Sequence, residues 1–206
     1  MKSSILAATI AALSMAALGC KAQSSLLKAL LSKENVERAA AAVSHKNDKS
    51  NMLNLTGSWS YTGMAVGFEP GSPFSQNSAI LSAVMEKEMN RAAKKDGAKP
   101  GMLVFTFKAD SSFTVQQPAQ PEKTVKGNYH CNLPAQTVTL QYPQETALVG
   151  KVTGSASKMK LLFDEAKLYK LMNQIAKQNG IATLQTMDSL SVHYAGIMLG
   201  FDLKKE

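Results

Sequence analysis

The chain has 206 residues, which is enough for one domain of ordinary size together with a targeting segment. Its formal net charge is +8, yet of its 23 basic residues only Arg38 and Arg91 are arginine. Bidentate recognition of phosphate favours arginine, whereas lysine gives a solvated surface. The composition therefore argues against a nucleic-acid-binding protein and indicates a soluble surface or a weak attraction to anionic lipid.

The first 19 residues are typical of a bacterial secretory signal. Lys2 precedes an apolar run over residues 5–18, and small residues stand at positions 17 and 19. The run is too short to cross a membrane as a helix, and the whole arrangement matches a segment that is removed on export. We therefore predict a signal peptide at residues 1–19 and an exported mature chain.

Cys20 and Cys131 are the two cysteines of the chain. Residues 17–20, ALGC, resemble a bacterial lipobox, in which the cysteine receives a lipid anchor, although alanine stands where leucine is usual. The pattern favours lipidation of Cys20, and so membrane association through that anchor, over ordinary cleavage near Ala22. Cys131 is then left unpaired as a small buried apolar group. A disulfide between Cys20 and Cys131 is the less favoured alternative.

Residues 20–52 follow the predicted signal as a helical leader and linker. Between residues 24 and 44, apolar side chains recur at helical spacing. Residues 46–51 are polar and have no periodicity, which is typical of a linker. The domain that carries the fold is therefore expected to span residues 53–206.

The first predicted strand, over residues 55–69, has a counterpart near the end of the chain. Tyr, Gly, Gly, Phe and an acidic residue recur at the same spacing in residues 61–69 and 194–202. In both segments the apolar face changes parity after a glycine, Gly63 or Gly196, which predicts a bulge or bend there. The likeness predicts that the first and last strands pair and close a barrel. The rival is an open sheet or sandwich in which they lie apart.

Helices and six further strands are predicted between these two segments. Residues 76–94 repeat apolar side chains one turn apart, which indicates a helix. Six stretches with apolar side chains at every second position follow, which indicates strands. Before the last strand, Asp164 is a candidate N-cap of a second helical segment. The order predicts a mainly β fold of eight antiparallel strands, with helical insertions after the first strand and before the last.

The first strand also carries the G-x-W pattern of lipocalins at residues 57–59, and three further motifs accompany it. These are FKADSSFT at residues 107–114, LLFD at residues 161–164 and LGFDLKK at residues 199–205. With them, residues 53–205 resemble an uncharacterised lipocalin-like family of exported proteins from Gram-negative gut bacteria. The resemblance implies a lipocalin-like barrel in the periplasm or attached to the outer membrane. It implies no established activity and supplies no catalytic or ligand-binding residue.

The sequence contains no recognisable pattern of catalytic or metal-binding residues. His45, His130 and His193 are far apart and lack the spacing of metal ligands. No G-x-S-x-G segment marks a nucleophile. We therefore predict no catalytic residue, no metal site and no cofactor, and an enzyme is the least favoured of three classes of function.

Aromatic side chains predicted to point into the barrel are the feature that suggests binding. An eight-stranded barrel is either filled by its side chains or shaped around one small ligand. The predicted ligand-binding residues are Trp59, Tyr61, Phe105, Tyr129, Tyr142 and Phe163. The leading hypothesis is an apolar or amphipathic small molecule inside the barrel. The alternative is a filled core, in a structural or protein-interaction module of the cell envelope whose protein partners are unknown.

The helical insertions bear on where a ligand would enter. Both are expected at one mouth of the barrel, which the helix at residues 76–94 would cover. The entrance would then lie at the other mouth, lined by the turns at residues 109–112 and 143–147.

Overall fold

The computed structural model describes residues 53–74, 78–95, 97–143, 147–164, 166–168, 171 and 194–206. The predicted signal, Cys20, the leader, the linker up to residue 52 and most of the helical sequence before the last strand lie outside these residues. The structural statements below concern the described residues alone.

Eight strands form a closed barrel in which each strand pairs antiparallel with its neighbours in sequence order. Apolar side chains alternate along the strands and direct one face of each to a shared core. The strands are β1 (Gly57–Phe68), β2 (Val104–Phe107), β3 (Ser112–Gln117), β4 (Gln120–Asn132), β5 (Thr137–Gln141), β6 (Leu148–Gly154), β7 (Lys158–Asp164) and β8 (Ile197–Lys205). The predicted mainly β, lipocalin-like barrel of eight strands is confirmed.

Pairing between β1 and β8 closes the barrel. It extends from Trp59 opposite Lys205 to Phe68 opposite Ile197. The predicted pairing of the first and last strands is therefore confirmed, and the open sheet is wrong. Closure also removes the exposed strand edges that an open sheet would present to other chains.

A bulge interrupts the β1–β8 ladder between Tyr61 and Gly63. Thr62 is the extra residue, and it shifts the alternation of side chains along β1 by one position. Tyr61 and Met64, which are three positions apart, therefore both face the core. A Cβ atom added to Gly63 would lie 2.7 Å from Oδ1 of Asn90, which leaves no room for a side chain. The bulge predicted at Gly63 is confirmed.

The second predicted bend, at Gly196, lies outside its strand. β8 begins at Ile197, whose N–H donates to the carbonyl of Tyr194 at 3.0 Å. Gly196 has a φ of +77°, a conformation that a residue with a Cβ rarely adopts. The prediction of a bend within the last strand was wrong, because this glycine forms the turn that leads into the strand.

Helix α1 (Ser78–Lys95) packs along the part of β1 that β2 does not reach. β2 pairs with residues 57–60 of β1. Beyond that point, Oδ1 of Asn90 accepts from the N–H of Met64 at 2.8 Å and its Nδ2 donates to the Met64 carbonyl at 3.1 Å. Oε1 of Glu86 accepts from the N–H of Val66 at 2.8 Å. These contacts set α1 antiparallel to β1 and satisfy backbone groups of its edge.

The helix predicted at residues 76–94 is confirmed, but its predicted position over the mouth was wrong. Leu81 and Met85 belong to the same core as the strand residues. Since the helix also bonds the edge of β1, it forms part of the barrel wall. The reason is the shortness of β2, which leaves an edge that must be covered.

The two ends of the barrel differ in what they carry. One end of the barrel holds the last residues of β1, β3 and β7, which are Phe68, Gln117 and Asp164. We call it the helix end, and we call the opposite end the far end. Both insertions begin at the helix end, as predicted. The β2–β3 turn lies at the far end, but β5 ends and β6 begins at the helix end. The two turns that were predicted to line one entrance therefore belong to opposite ends of the barrel, so that prediction was wrong. The reason is that connections between successive antiparallel strands alternate between the two ends.

Two interior glycines make room for aromatic rings. Phe113 lies opposite Gly127 in the β3–β4 ladder, and the ring of Phe163 lies against Gly150. A Cβ atom added to either glycine would come within 2.6 Å of the facing ring. The rings occupy the space that a side chain would otherwise take, which fixes how the aromatic core is filled.

Candidate functional site

The aromatic residues predicted to bind a ligand lie in the barrel interior. Trp59, Tyr61, Phe105, Tyr142 and Phe163 are buried, and Tyr129 is half-buried. They pack against other side chains; the ring centroid of Phe201, for example, lies 6.2 Å from that of Tyr61 and 5.3 Å from that of Phe105. The structure thus brings them into one core, without assigning them a ligand.

At the far end, aromatic side chains with polar atoms have partners within the chain. The indole N–H of Trp59 donates to the carbonyl of Leu55 at 2.7 Å. Nζ of Lys205 lies 5.2 Å from the centre of the Trp59 ring. The hydroxyl of Tyr129 donates to the carbonyl of Lys108 at 3.0 Å. These contacts give Trp59 and Tyr129 a structural role in closing the far end.

At the helix end, buried polar atoms lack partners. Among the described residues, three buried side-chain atoms make no hydrogen bond, and they are Ser72 Oγ, Gln117 Nε2 and Tyr142 OH. Gln117 and Tyr142 are only 5% and 3% exposed. Gln117 ends β3, Tyr142 directly follows β5, and Ser72 follows β1, so all three lie at this end. We call Gln117 and Tyr142 the polar pair, and with Ser72 they form the candidate site.

Strand geometry explains why the polar pair points inwards. Along β3, Phe113 and Val115 face the core, and Gln117 continues that face by two further positions. Tyr142 extends the inward face of Leu140 in the same way. Tyr142 was among the predicted ligand residues, but Gln117 was missed because only apolar and aromatic side chains were considered as the inward face. Its place in the alternation was the signal that could have found it.

The polar pair is neutral at neutral pH, and burial strengthens this preference for Tyr142. Burial raises the pKa of Tyr142 well above the ordinary value, because an ionised phenolate would lose its hydration there. Tyr142 therefore keeps its O–H at neutral pH and can donate. The Nε2 group of Gln117 is a donor at any pH. The polar pair thus offers the two N–H groups of Gln117 and the O–H group of Tyr142 as donors, and neither side chain is charged.

Aromatic rings border the site beside Ser72. Phe74 lies with its ring centre 5.6 Å from those of Phe68 and Tyr194. A Cβ atom on Gly196 would lie 2.8 Å from that of Ser72, so the loop after β1 packs closely on the turn before β8. This packing holds Ser72 at the helix end.

The burial of Tyr61 predicts how the free energy of unfolding changes at alkaline pH. Burial, with a smaller effect of the Asp202 carboxylate, raises the pKa of Tyr61 to about 12 from 10.0. Folding therefore favours the neutral phenol. Its contribution to stability is complete below pH 10 and is lost as the pH rises through 12. Between pH 10 and pH 12, the wild type should lose roughly 2–3 kcal/mol more of its unfolding free energy than Tyr61→Phe loses.

Chemical denaturation at pH 9, 10, 11 and 12 measures this effect. The lysines are common to both chains, so the difference between wild type and variant isolates Tyr61. Parallel stability curves for the two chains would contradict the assignment.

The described residues show no metal centre. No group of three His, Cys, Asp or Glu side chains among them is placed to hold a metal ion. His130 is exposed, while His45 and His193 lie outside the described residues. Cys131 is a free thiol that is half-buried rather than fully buried, and this burial raises its pKa. Within the same residues, no helix is both long and apolar enough to cross a membrane.

The N-cap predicted before the second insertion is present. Oδ1 of Asp164 accepts from the N–H of Lys167 at 2.9 Å, as an N-cap does. Leu168 and Leu171 are buried against the main core. The rest of the predicted helical face lies outside the described residues.

Comparisons with known proteins place the chain in a family. Among solved structures, the chain is similar to a DUF4847 family protein from Bacteroides vulgatus, with 13% sequence identity and a TM-score of 0.34. That similarity covers 74% of this chain and 94% of the other. The comparison with curated proteins found no match. The family described as "Lipocalin-like domain (DUF4923)" matches residues 27–205, which include most of the predicted leader. The chain therefore belongs to this lipocalin-like family.

Proposed function

We propose that this exported barrel binds an apolar or amphipathic small molecule whose polar group reaches the polar pair at the helix end. The observation that carries the proposal is that the three buried polar atoms without a partner among the described residues all belong to residues at the helix end. More than about 90% of buried polar groups in proteins have a partner. An orphaned one costs roughly 1–3 kcal/mol. A ligand that pairs with these atoms would offset that cost on binding.

The packing at the far end of the core supports a ligand site at the helix end. Trp59, Tyr129 and their neighbours pack closely and have their polar atoms paired there. The predicted binding role of Trp59 and Phe105 is therefore less well supported than that of Tyr142. An eight-stranded barrel has room for one small ligand at most. A ligand polar group at the helix end, with its apolar part directed into the barrel, fits both observations.

The alternative, a protein-interaction module, has less support from the described surface. An apolar docking surface requires a contiguous exposed patch. Among the described residues, Val149 is the one large apolar side chain that is exposed, at 45%. A single exposed valine is ordinary for a soluble domain.

Export and lipidation of Cys20 remain part of the proposal, supported by residues 1–20 of the sequence. They would place the barrel in the periplasm or at the outer membrane of a Gram-negative bacterium. Palmitate labelling that is lost in Cys20→Ser would support the anchor. Labelling that persists in this variant would contradict it.

Tyr142→Phe tests the binding function directly. The unliganded variant should be as stable as the wild type or more stable by up to about 1 kcal/mol, since it loses a buried, unpaired hydroxyl. Its affinity for a ligand that pairs with the hydroxyl should fall about tenfold. Native mass spectrometry of protein purified from its host identifies retained molecules, and titration of the delipidated wild type and variant gives the affinities.

Tyr129→Phe is the matched control, because its hydroxyl lies at the far end and already has a partner. It should leave ligand affinity unchanged. Protein that retains no molecule, and that binds no apolar or amphipathic compound in titration, would contradict the proposed function.

A further inference from the structure

We infer that the ligand of the helix-end site carries an uncharged polar group that accepts hydrogen bonds, such as a hydroxyl, ketone, ester or amide. This inference rests on the proposed function and deepens it. It concerns the chemical class of the ligand, which the burial and chemistry of the site's own atoms restrict.

Both unpartnered atoms of the polar pair can donate hydrogen bonds. Nε2 of Gln117 has two N–H groups and accepts nothing. Tyr142 keeps its proton, and its hydroxyl is unpartnered in the barrel interior. Ser72 adds a hydroxyl at the same end. Each of these groups is satisfied by an acceptor oxygen on the ligand, which matches the polar atoms of alcohols, ketones, esters and amides.

The described part of the helix end offers no buried charge that could pair with a charged ligand group. Among the described residues, the buried side chains are apolar or neutral, and Gln117 and Tyr142 carry no charge at neutral pH. Lys167, which follows β7 at the helix end, is 42% exposed and pairs with Asp164. A carboxylate buried beside the polar pair would therefore find no buried cation among the described residues to offset its desolvation. A cationic ligand would face donors and no buried carboxylate.

The test compares ligands that share a chain and differ in their polar group. Dodecanol, methyl dodecanoate and dodecanoate are titrated into the delipidated full chain at pH 8, where the acid is ionised. We expect the alcohol and the ester to bind at least tenfold more tightly than dodecanoate. Lowering the pH below the acid's own pKa should raise its affinity towards that of the alcohol, whose affinity should stay constant.

Variants then locate the effect. Gln117→Leu and Tyr142→Phe should each weaken dodecanol binding about tenfold. Gln116→Leu is the matched control, since Gln116 occupies the opposite face of β3 and is not part of the buried face. Its affinity for dodecanol should equal that of the wild type. Thermal unfolding of all three variants verifies that they fold.

The outcomes separate this inference from the function on which it rests. If dodecanoate binds as tightly as dodecanol at pH 8, or more tightly, the inference is overturned while the binding function stands. If dodecanol binds but neither variant of the polar pair weakens it, the site is elsewhere and the inference is again overturned. If none of the three compounds binds, the proposed function fails and the inference fails with it.

Discussion

Gly200→Ala is expected to destabilise the barrel by roughly 3–5 kcal/mol, because a side chain at this position meets backbone. Gly200 lies in β8, opposite Ala65 of β1 and Leu162 of β7. An added Cβ atom would be 1.8 Å from the carbonyl oxygen of Leu161. A backbone atom cannot rotate away, so β7 or β8 must shift, and β8 is the strand that closes the barrel.

Chemical denaturation of wild type and variant measures this loss. Gly71→Ala is the matched control, since it makes the same substitution where no atom lies within 4 Å of the added Cβ. Gly71 has a φ of +82°, so the control should lose only about 1 kcal/mol through backbone strain. Equal losses in the two variants would show that conformational freedom, rather than close strand packing, explains the glycine at position 200.

Asn90→Ala is expected to lower the unfolding free energy by roughly 2–4 kcal/mol. Its side chain bonds both the N–H and the carbonyl of Met64, as a neighbouring strand would. Removing it leaves two part-buried backbone groups of β1 unpaired. Alanine favours helix more than asparagine does, so the helix itself gains slightly and the measured loss reports the contact with β1.

Glu86→Ala should also lower the unfolding free energy, because Oε1 of Glu86 accepts from the N–H of Val66 and also pairs with Nζ of Lys160. Glu88→Ala is the control on the same helix, because Glu88 makes only an exposed ion pair with Arg91 at 3.8 Å. Such pairs contribute about 0–1 kcal/mol. Hydrogen exchange at the amides of Met64 and Val66 should accelerate in Asn90→Ala and Glu86→Ala respectively. Unchanged exchange would show that α1 is not what protects the edge of β1.

Most of the architecture could be predicted from the sequence, because local patterns specify it. Alternating apolar residues indicated the strands, and the change of parity after Gly63 indicated the bulge. The matched segments at residues 61–69 and 194–202 indicated which strands meet. Each of these signals depends on side-chain direction along the chain, which the spacing of residues preserves.

The position of α1 could not be predicted in this way. Asn90 and Glu86 appear in the sequence as the polar face of an amphipathic helix, which usually faces solvent. Their partners are backbone groups, which have no signature in the sequence. The turn at Gly196 was missed for a related reason, since a glycine in a bulge and one in a turn look alike in sequence and differ only in backbone angle.

The candidate site was predicted only in part. Tyr142 was identified as an inward-facing aromatic residue, but its unpaired hydroxyl emerges only once every neighbour is placed. Gln117 was overlooked because only apolar and aromatic side chains were considered as the inward face. Whether a buried polar atom has a partner is a property of the whole barrel, so no local pattern records it.

Barrel closure by β1 and β8 has a consequence for the order of folding. The contact between Ser60 and Glu206 joins residues 146 positions apart, whereas that between Met64 and Asn90 spans 26. Bringing together distant residues costs more chain entropy than bringing together close ones. The chain should therefore dock α1 on β1 and assemble its hairpins first, and join its two ends last. Until that final step, the edge of β8 is exposed to other chains, so this late species is the one most prone to aggregation.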